Sequence, residues 1–368
     1  RLCMLAALAI GSSLVWAQEA PKAEAPKPDA AKAPAGKPAD MSKPVKVFIL
    51  MGQSNMVGLG KIAGGEGALE HAVKEKKKYS YLVDETGNWS ERMDVRYVRV
   101  MDGRGGGTQL FNNEWMTVKT CRTIGPEFGI GHPLGNASDA PVMILKSCIG
   151  NRSLGWDLLP PGSKGYEFTD KDKKTGKEVV YIYAGYKESP MRWEKGTEPQ
   201  KITWYAGMQY DGDTANAKKV LEELDKYYPG ATKYEVAGFF FWQGEKDCGN
   251  AGHASRYEQN LVHLIKTLRQ EFAAPNAKFV LATIAFGGDK LSGPGLTVAS
   301  AQLAVDGESG KYPEFRGNVK AIDARPFWRD ASVSPNQRQD YHYYHNAETY
   351  YEVGHALGRA MAALETGK

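Results

Sequence analysis

Five apolar residues in a row, Val47-Phe48-Ile49-Leu50-Met51, run straight into Gly52-Gln53-Ser54-Asn55, and this stretch constrains the chain more than any other. The run is too short for a helix core and lacks the alternation of a half-exposed strand. It predicts a strand buried on both faces, as in a parallel sheet. The break at Gly52 delivers a serine flanked by two carboxamides to the carboxyl end of that strand, where open α/β sheets place their ligands. A serine in that position can equally cap a helix, so Ser54 gains a chemical role only if other segments supply partners.

Further strand signals recur at residues 95–101, 141–145, 236–242, 279–286 and 319–322. Helical patterns lie between most of them. Gly125-Pro126-Glu127 puts proline and an acid where a helix begins. Residues 215–227 read as a helix, and Tyr257, Leu261, Leu264, Ile265, Leu268 and Phe272 recur at helical spacing before Pro275 stops them. A last helix from about Ala347 carries Val353, Leu357, Met361 and Leu364 on one face. Strands alternating with helices predict crossover connections and a three-layer α/β/α sandwich with a mostly parallel central sheet. Residues 58–107 are irregular apart from one strand, and residues 155–205 form a loop-rich insertion. Its Trp156, Trp193, Trp204 and Tyr205 read either as a sugar-stacking wall or as a small core of the insertion's own.

The first 44 residues stand apart. Residues 2–16 are apolar but for Ser12 and Ser13, follow Arg1 and lead to Ala17; they read as a signal peptide, residues 1–17, too short to span a bilayer stably. Residues 18–44 are almost entirely Ala, Pro, Lys, Glu and Asp, a composition that cannot bury a core and predicts a disordered linker. A secreted or periplasmic protein is expected, with one domain over residues 45–368 and no membrane insertion after signal cleavage. Cys121, Cys148 and Cys248 then remain, an odd number that allows one bridge at most; Cys148 and Cys248 both adjoin candidate site segments. The formal net charge of +4 is spread over mixed signs, and the lysines of residues 74–78 fit a solvated helix face, so nucleic acid is not an expected partner.

Attack on an ester by serine requires an exposed hydroxyl, an imidazole to take its proton, an orienting acid and hydrogen-bond donors for the oxyanion. Ser54 follows the first strand. Gly150 follows the strand at 141–145, where the lack of a Cβ lets a backbone N–H approach closely. Gln243 follows the strand at 236–242 with a carboxamide donor, and His342 lies in Asp340-Tyr341-His342-Tyr343-Tyr344-His345 ahead of the last helix. Met56 stands where the Gly-x-Ser-x-Gly elbow needs its second glycine, so that motif is absent. His342 and His345 have a His-x-x-His spacing without a third ligand cluster, so no metal is expected and His345 reads as a surface histidine. Glu245 and Asp247 could form an acid/base pair for glycoside hydrolysis, or orient the Gln243 loop as hydrogen-bond partners. A non-catalytic carbohydrate-binding protein is the third reading.

Gly52-Gln53-Ser54-Asn55-Met56, Gly150-Asn151-Arg152-Ser153-Leu154, Trp242-Gln243-Gly244-Glu245-Lys246-Asp247 and the His342 segment occur in that order. Together they resemble the sialate O-acetylesterase and acetylxylan-esterase-like branch of the SGNH hydrolases, over residues 45 to about 365. The resemblance implies an SGNH-type, flavodoxin-like sandwich and an esterase without metal or organic cofactor. Its implied substrate is an acetylated oligo- or polysaccharide such as a sialoside or xylan. It also implies Ser54 as nucleophile, His342 as general base, and an oxyanion hole of the Ser54 N–H, the Gly150 N–H and the Gln243 side chain, with Gln53, Asn55 and Glu245 in support. Two departures accompany it. The superfamily's acid lies three residues before the histidine, a position held here by Gln339, and Asp340 is one residue too close. In an extended segment neighbouring side chains point to opposite faces, so Asp340 completes a triad only through an irregular backbone; otherwise Gln339 or a carbonyl orients the ring of a Ser–His dyad. Lys246 stands where many relatives carry a small hydroxyl residue.

Overall fold

The computed structural model describes residues 38–102, 107–172 and 174–367; the expected signal peptide and residues 18–37 of the expected linker lie outside them. Its central sheet holds β1 (Val45–Gly52), β2 (Arg92–Asp102), β3 (Thr108–Met116) and β4 (Val142–Ser147). A second sheet in the insertion is antiparallel and consists of β5 (Tyr166–Lys171), β6 (Glu178–Tyr183) and β7 (Arg192–Glu194). The central sheet is completed by β8 (Tyr234–Trp242), β9 (Lys278–Ala282) and β10 (Val319–Ile322), in the order β10-β9-β8-β1-β4-β2-β3. Every pairing in it is parallel except that of the edge strand β3 with β2.

The apolar runs have no polar side because both faces of this sheet are covered. Val47, Ile49 and Met51 of β1 join Phe239, Phe241, Phe279 and Leu281 in one core. Helices α2 (Met208–Glu222), α3 (Ala251–Glu271) and α4 (Gly293–Ala304) close it with Val220, Leu264 and Val298 among others. Phe48 and Leu50 point the other way, joining Phe240, Trp242 and Val280 under α1 (Glu127–Ala137) and α5 (Ala347–Thr366). Two-residue periodicity along each strand thus feeds two separate cores, the three-layer arrangement expected from the sequence.

Several expectations need correction. The strand read at 279–286 ends at Ala282, because the chain then turns to other partners: the Ile284 N–H donates to the Gln302 side chain and the Ala324 N–H to Thr283 Oγ1. Helix α2 starts at Met208 rather than 215; its buried face there is polar, with Gln209, Asp213 and Asn216, which hides the helical period. The aromatics of the insertion build a small core around Trp156, Leu159, Ala184 and Ala206, with Trp193 and Trp204 packed against it. Cys121, Cys148 and Cys248 are all unpaired. A bridge between Cys148 and Cys248 is blocked by the sheet itself, since Cys148 packs in the core under α1 and α5 while Cys248 packs against the opposite one. No helix among the described residues is long and apolar enough to cross a membrane.

Chain direction places the site. From β1 the chain moves outward to β2 and β3, returns to β4 beside β1, then crosses to β8 on the other flank of β1. Gly52 is paired with Trp242, and Leu50 with Lys146, so the carboxyl ends of β4, β1 and β8 lie side by side at this reversal of strand order.

Candidate active site

At the end of β1 the backbone turns sharply against β8. Gly52 has φ 150°, and a Cβ there would come within 2.2 Å of the Trp242 carbonyl oxygen, so only glycine fits. The Gln53 N–H continues the ladder to that carbonyl at 3.2 Å, and Ser54 opens a single helical turn, Ser54–Val57. A buried ion pair supports the turn from below. Lys146 Nζ donates to the Val57 carbonyl at 3.0 Å and pairs with Glu127 Oε2 at 2.5 Å; burial holds the lysine below its usual range. Gly150 packs on the nucleophile side: a Cβ on it would sit 3.5 Å from Ser54 Cβ. Its N–H makes no hydrogen bond among the described residues.

His342 Nε2 lies 2.9 Å from Ser54 Oγ. Burial, with His345 nearby, lowers the imidazole to about 4, which keeps it neutral and able to accept a proton at ordinary pH. Its segment folds as a kinked 3-10 turn over Asp340–His345, in which Tyr343, Tyr344 and His345 take left-handed φ of 49°, 49° and 59°. Such backbone is strained for non-glycine residues and needs outside support. Tyr343 supplies it, fully buried, stacked on Trp242 at 5.3 Å and accepting from the Ala285 N–H through its hydroxyl.

The irregular backbone does not bring Asp340 to the imidazole. Asp340 is exposed, its carboxylate accepts from the Tyr341 N–H at 2.8 Å, and His342 Nδ1 is buried without a partner. Gln339 does not orient His342 through its side chain either, since its carboxamide oxygen pairs with His345 Nε2. No carboxylate or carbonyl among the described residues meets Nδ1, so the geometry is that of a Ser–His pair.

Gln243 also differs from expectation. Its Nε2 donates to Asp247 Oδ2 at 2.6 Å and to the Arg152 carbonyl at 2.9 Å, while Oε1 accepts from the Tyr257 hydroxyl. Both of its N–H groups are therefore committed inside the protein, leaving none for an oxyanion. Asp247 completes this buried bracket by accepting from the Leu154 and Gly155 N–H groups, and burial pushes it up to about 6. The bracket ties the end of β8 to the loop after β4, and so holds Gly150 in place indirectly.

Glu245 plays a different part. Gln53 Nε2 and Asn55 Nδ2 each donate to one of its oxygens at 2.6 Å, so a single carboxylate straddles the two neighbours of Ser54. Asn55 Nδ2 also donates to the Tyr341 carbonyl at 3.0 Å. Tyr350 donates to Asn55 Oδ1 at 2.6 Å and lies 3.2 Å from the His342 carbonyl. The same network thus grips the flanks of the serine and the backbone of the histidine. Burial raises Glu245 from the ordinary 4.5 to about 7, with the two carboxamide bonds opposing that rise. Tyr350 and the carbonyls of Tyr341 and His342 carry no sequence signal of their own; only the position of Tyr350 near the start of α5 places it by the His342 segment.

Beyond Gly150 the chain lines a cavity of about 510 Å³ with Asn151, Arg152, Trp156, Trp204, Lys246 and His253 among its walls. Its lining includes the sequence neighbours of Gly150 and Glu245, Asn151 and Lys246. A mostly parallel sheet flanked by helices on both faces, with a serine and a histidine meeting beyond its strand ends, is the SGNH-like three-layer sandwich.

Residues 189–363 match the family described as carbohydrate esterase, sialic acid-specific acetylesterase. The match contains Gln243, Glu245 and His342; Ser54 and Gly150 precede it. No curated protein matches the sequence. A solved structure of a protein from Arabidopsis thaliana is similar at 16% identity over 87% of this chain and 98% of its own, with a TM-score of 0.46. A carbohydrate acetylesterase from Xanthomonas citri is similar at 15% identity over 88% of this chain and 57% of its own, with a TM-score of 0.48.

Proposed function

We propose that this carbohydrate esterase is an exported serine O-acetylesterase that deacetylates a glycan through an acyl-enzyme on Ser54. The observation that carries the proposal is the 2.9 Å approach of His342 Nε2 to Ser54 Oγ. As Oγ bonds to the acetyl carbon, Nε2 takes its proton, and the carbonyl oxygen becomes an oxyanion facing the Ser54 and Gly150 N–H groups. Collapse breaks the bond to the sugar oxygen, which leaves with the proton from His342. Water then attacks the acetyl-serine, giving its proton to His342; acetate departs and Oγ recovers that proton. With no acid on Nδ1, the imidazolium formed in each half is stabilised less than in a full triad, and the ring is held by its backbone instead.

Glu245 and Asp247 serve this reading better than a glycosidase. Both carboxylates are engaged by internal donors, and Asp247 is fully buried. Export is proposed on the composition of residues 1–44. The test is acetate release from a chromogenic acetyl ester and from acetylated xylan and sialosides. Ser54→Ala should lower turnover on the order of 10³-fold or more. Activity within about tenfold of wild type, or no acetate release by the wild-type protein, would remove the proposal.

A further inference from the structure

Two cations line the cavity that begins at Asn151, next to Gly150, and neither Arg152 nor Lys246 forms an ion pair with an acid among the described residues. The only acid in the lining, Asp157, is tied to the Ser153 N–H and hydroxyl through Oδ2. Arg152 is held in place rather than free to wander. Its Nε donates to Gln209 Oε1 at 2.9 Å, its guanidinium lies 4.7 Å from the Trp204 ring centre, and Gln209 is itself fixed by donating to Asp213 at 2.7 Å. Nη1 reaches the Asn151 carbonyl at 3.3 Å, which leaves the Nη2 edge unused. A guanidinium fixed by its Nε, with an open edge, is suited to two-pronged recognition of a carboxylate or sulfate.

Two further lining residues carry buried nitrogens without partners, His253 Nε2 and Trp204 Nε1. His253 is 2% exposed, and burial lowers it to about 3, so it forms part of the wall as a neutral ring.

We propose that this cavity seats the sugar released by the esterase, and that Arg152, assisted by Lys246, selects a sugar bearing a carboxylate or sulfate group. The inference rests on the esterase reading only for the direction in which the substrate extends from Ser54. Its test therefore reads binding without turnover. Ser54→Ala protein is titrated by calorimetry with a glucuronate-bearing xylo-oligosaccharide, a sialyl-oligosaccharide, a sulfated xylo-oligosaccharide and a neutral xylo-oligosaccharide. At least one anionic sugar should bind about tenfold or more tightly than the neutral one, with a preference that shrinks as salt is added. Which arm binds separates carboxylate from sulfate. Adding Arg152→Gln should reduce the preference about tenfold, Arg152→Lys less because the charge stays but the fork is lost, and Lys246→Gln about threefold. Unfolding midpoints of the variants check that the fold is intact. Equal binding of the neutral sugar, no binding of any anionic sugar, or a preference that survives Arg152→Gln overturns the inference. Failure of the wild-type protein to release acetate would instead strike the esterase reading and leave these binding results standing.

Discussion

The serine and the histidine reach each other from opposite kinds of structure. Ser54 sits at the end of a central strand, on a glycine that only one conformation allows, with both neighbours clamped by Glu245 and a buried Lys146–Glu127 pair beneath its turn. His342 sits in a kinked turn of left-handed residues, and one of its ring nitrogens has no partner. Ser54 is fixed chiefly by side chains acting on its neighbours' side chains. His342 is fixed through its backbone, by the Tyr343 anchor and by hydrogen bonds that end on the carbonyls of Tyr341 and His342. One carboxylate, Glu245, reaches both sides: it accepts from Gln53 and Asn55, and Asn55 in turn donates to the Tyr341 carbonyl.

The hardest break is removal of the base. His342→Ala should lower kcat/KM for an acetyl ester on the order of 10³-fold or more. A loss below about tenfold would mean that another group takes the proton.

Glu245→Gln comes next, because an amide places an N–H against one of the two carboxamide donors it must accept from. A kcat loss of roughly 10–100-fold is expected, together with a changed pH profile. In the wild-type protein activity should fall as pH drops through about 7, where Glu245 takes a proton and loses an acceptor. The variant should lack that limb and fall only near 4, where His342 becomes charged. Stability runs the other way. The folded value of Glu245 lies above its ordinary 4.5, so its contribution is fully present below that value and is lost as pH rises through about 7. Comparing unfolding midpoints of the two proteins across that window checks the sign; a wild-type acid limb near 4 would remove Glu245 from this role.

Gln243→Ala sharpens the contrast. It strips partners from Asp247, Tyr257 and the Arg152 carbonyl, so its main effect should be about 1–3 kcal/mol of stability, read by urea unfolding. A kcat loss of 10²-fold or more with unchanged stability would return it to the oxyanion hole. Asp340→Asn should have the smallest effect, within about twofold in kcat/KM, since its carboxylate only holds the Tyr341 N–H. A loss equal to that of His342→Ala would make Asp340 a full triad member after all.

The sequence made the two halves legible to different degrees for the same reason. Strands β1, β4 and β8 announce themselves because burial on both faces demands unbroken apolar runs, and their ends locate Ser54, Gly150 and Gln243. The end of a strand locates a residue without saying which way its side chain turns, and Gln243 turns inward. The exposed edge strand β3 and helix α4, which has two glycines in its first turn, lack the periodicity that would reveal them. The expectation for Asp340 assumes an extended segment, whereas Asp340–His345 folds as a kinked 3-10 turn whose last residues are left-handed. Glu245 could be read as a supporting residue, but its hold on both flanks of Ser54 depends on a register between β1 and β8 that only the fold supplies.

The direction of β1 also decides how the molecule can be attached to anything else. Val45 stands at the end of the sheet opposite Ser54, and the last helix returns to that same end, where Glu365 pairs with Lys46 at 2.7 Å. Both routes out of the folded body therefore leave from its underside. A tether, tag or neighbouring module joined at either one would hold the folded body like a lamp on a stalk, with the Ser54 face turned away from the attachment.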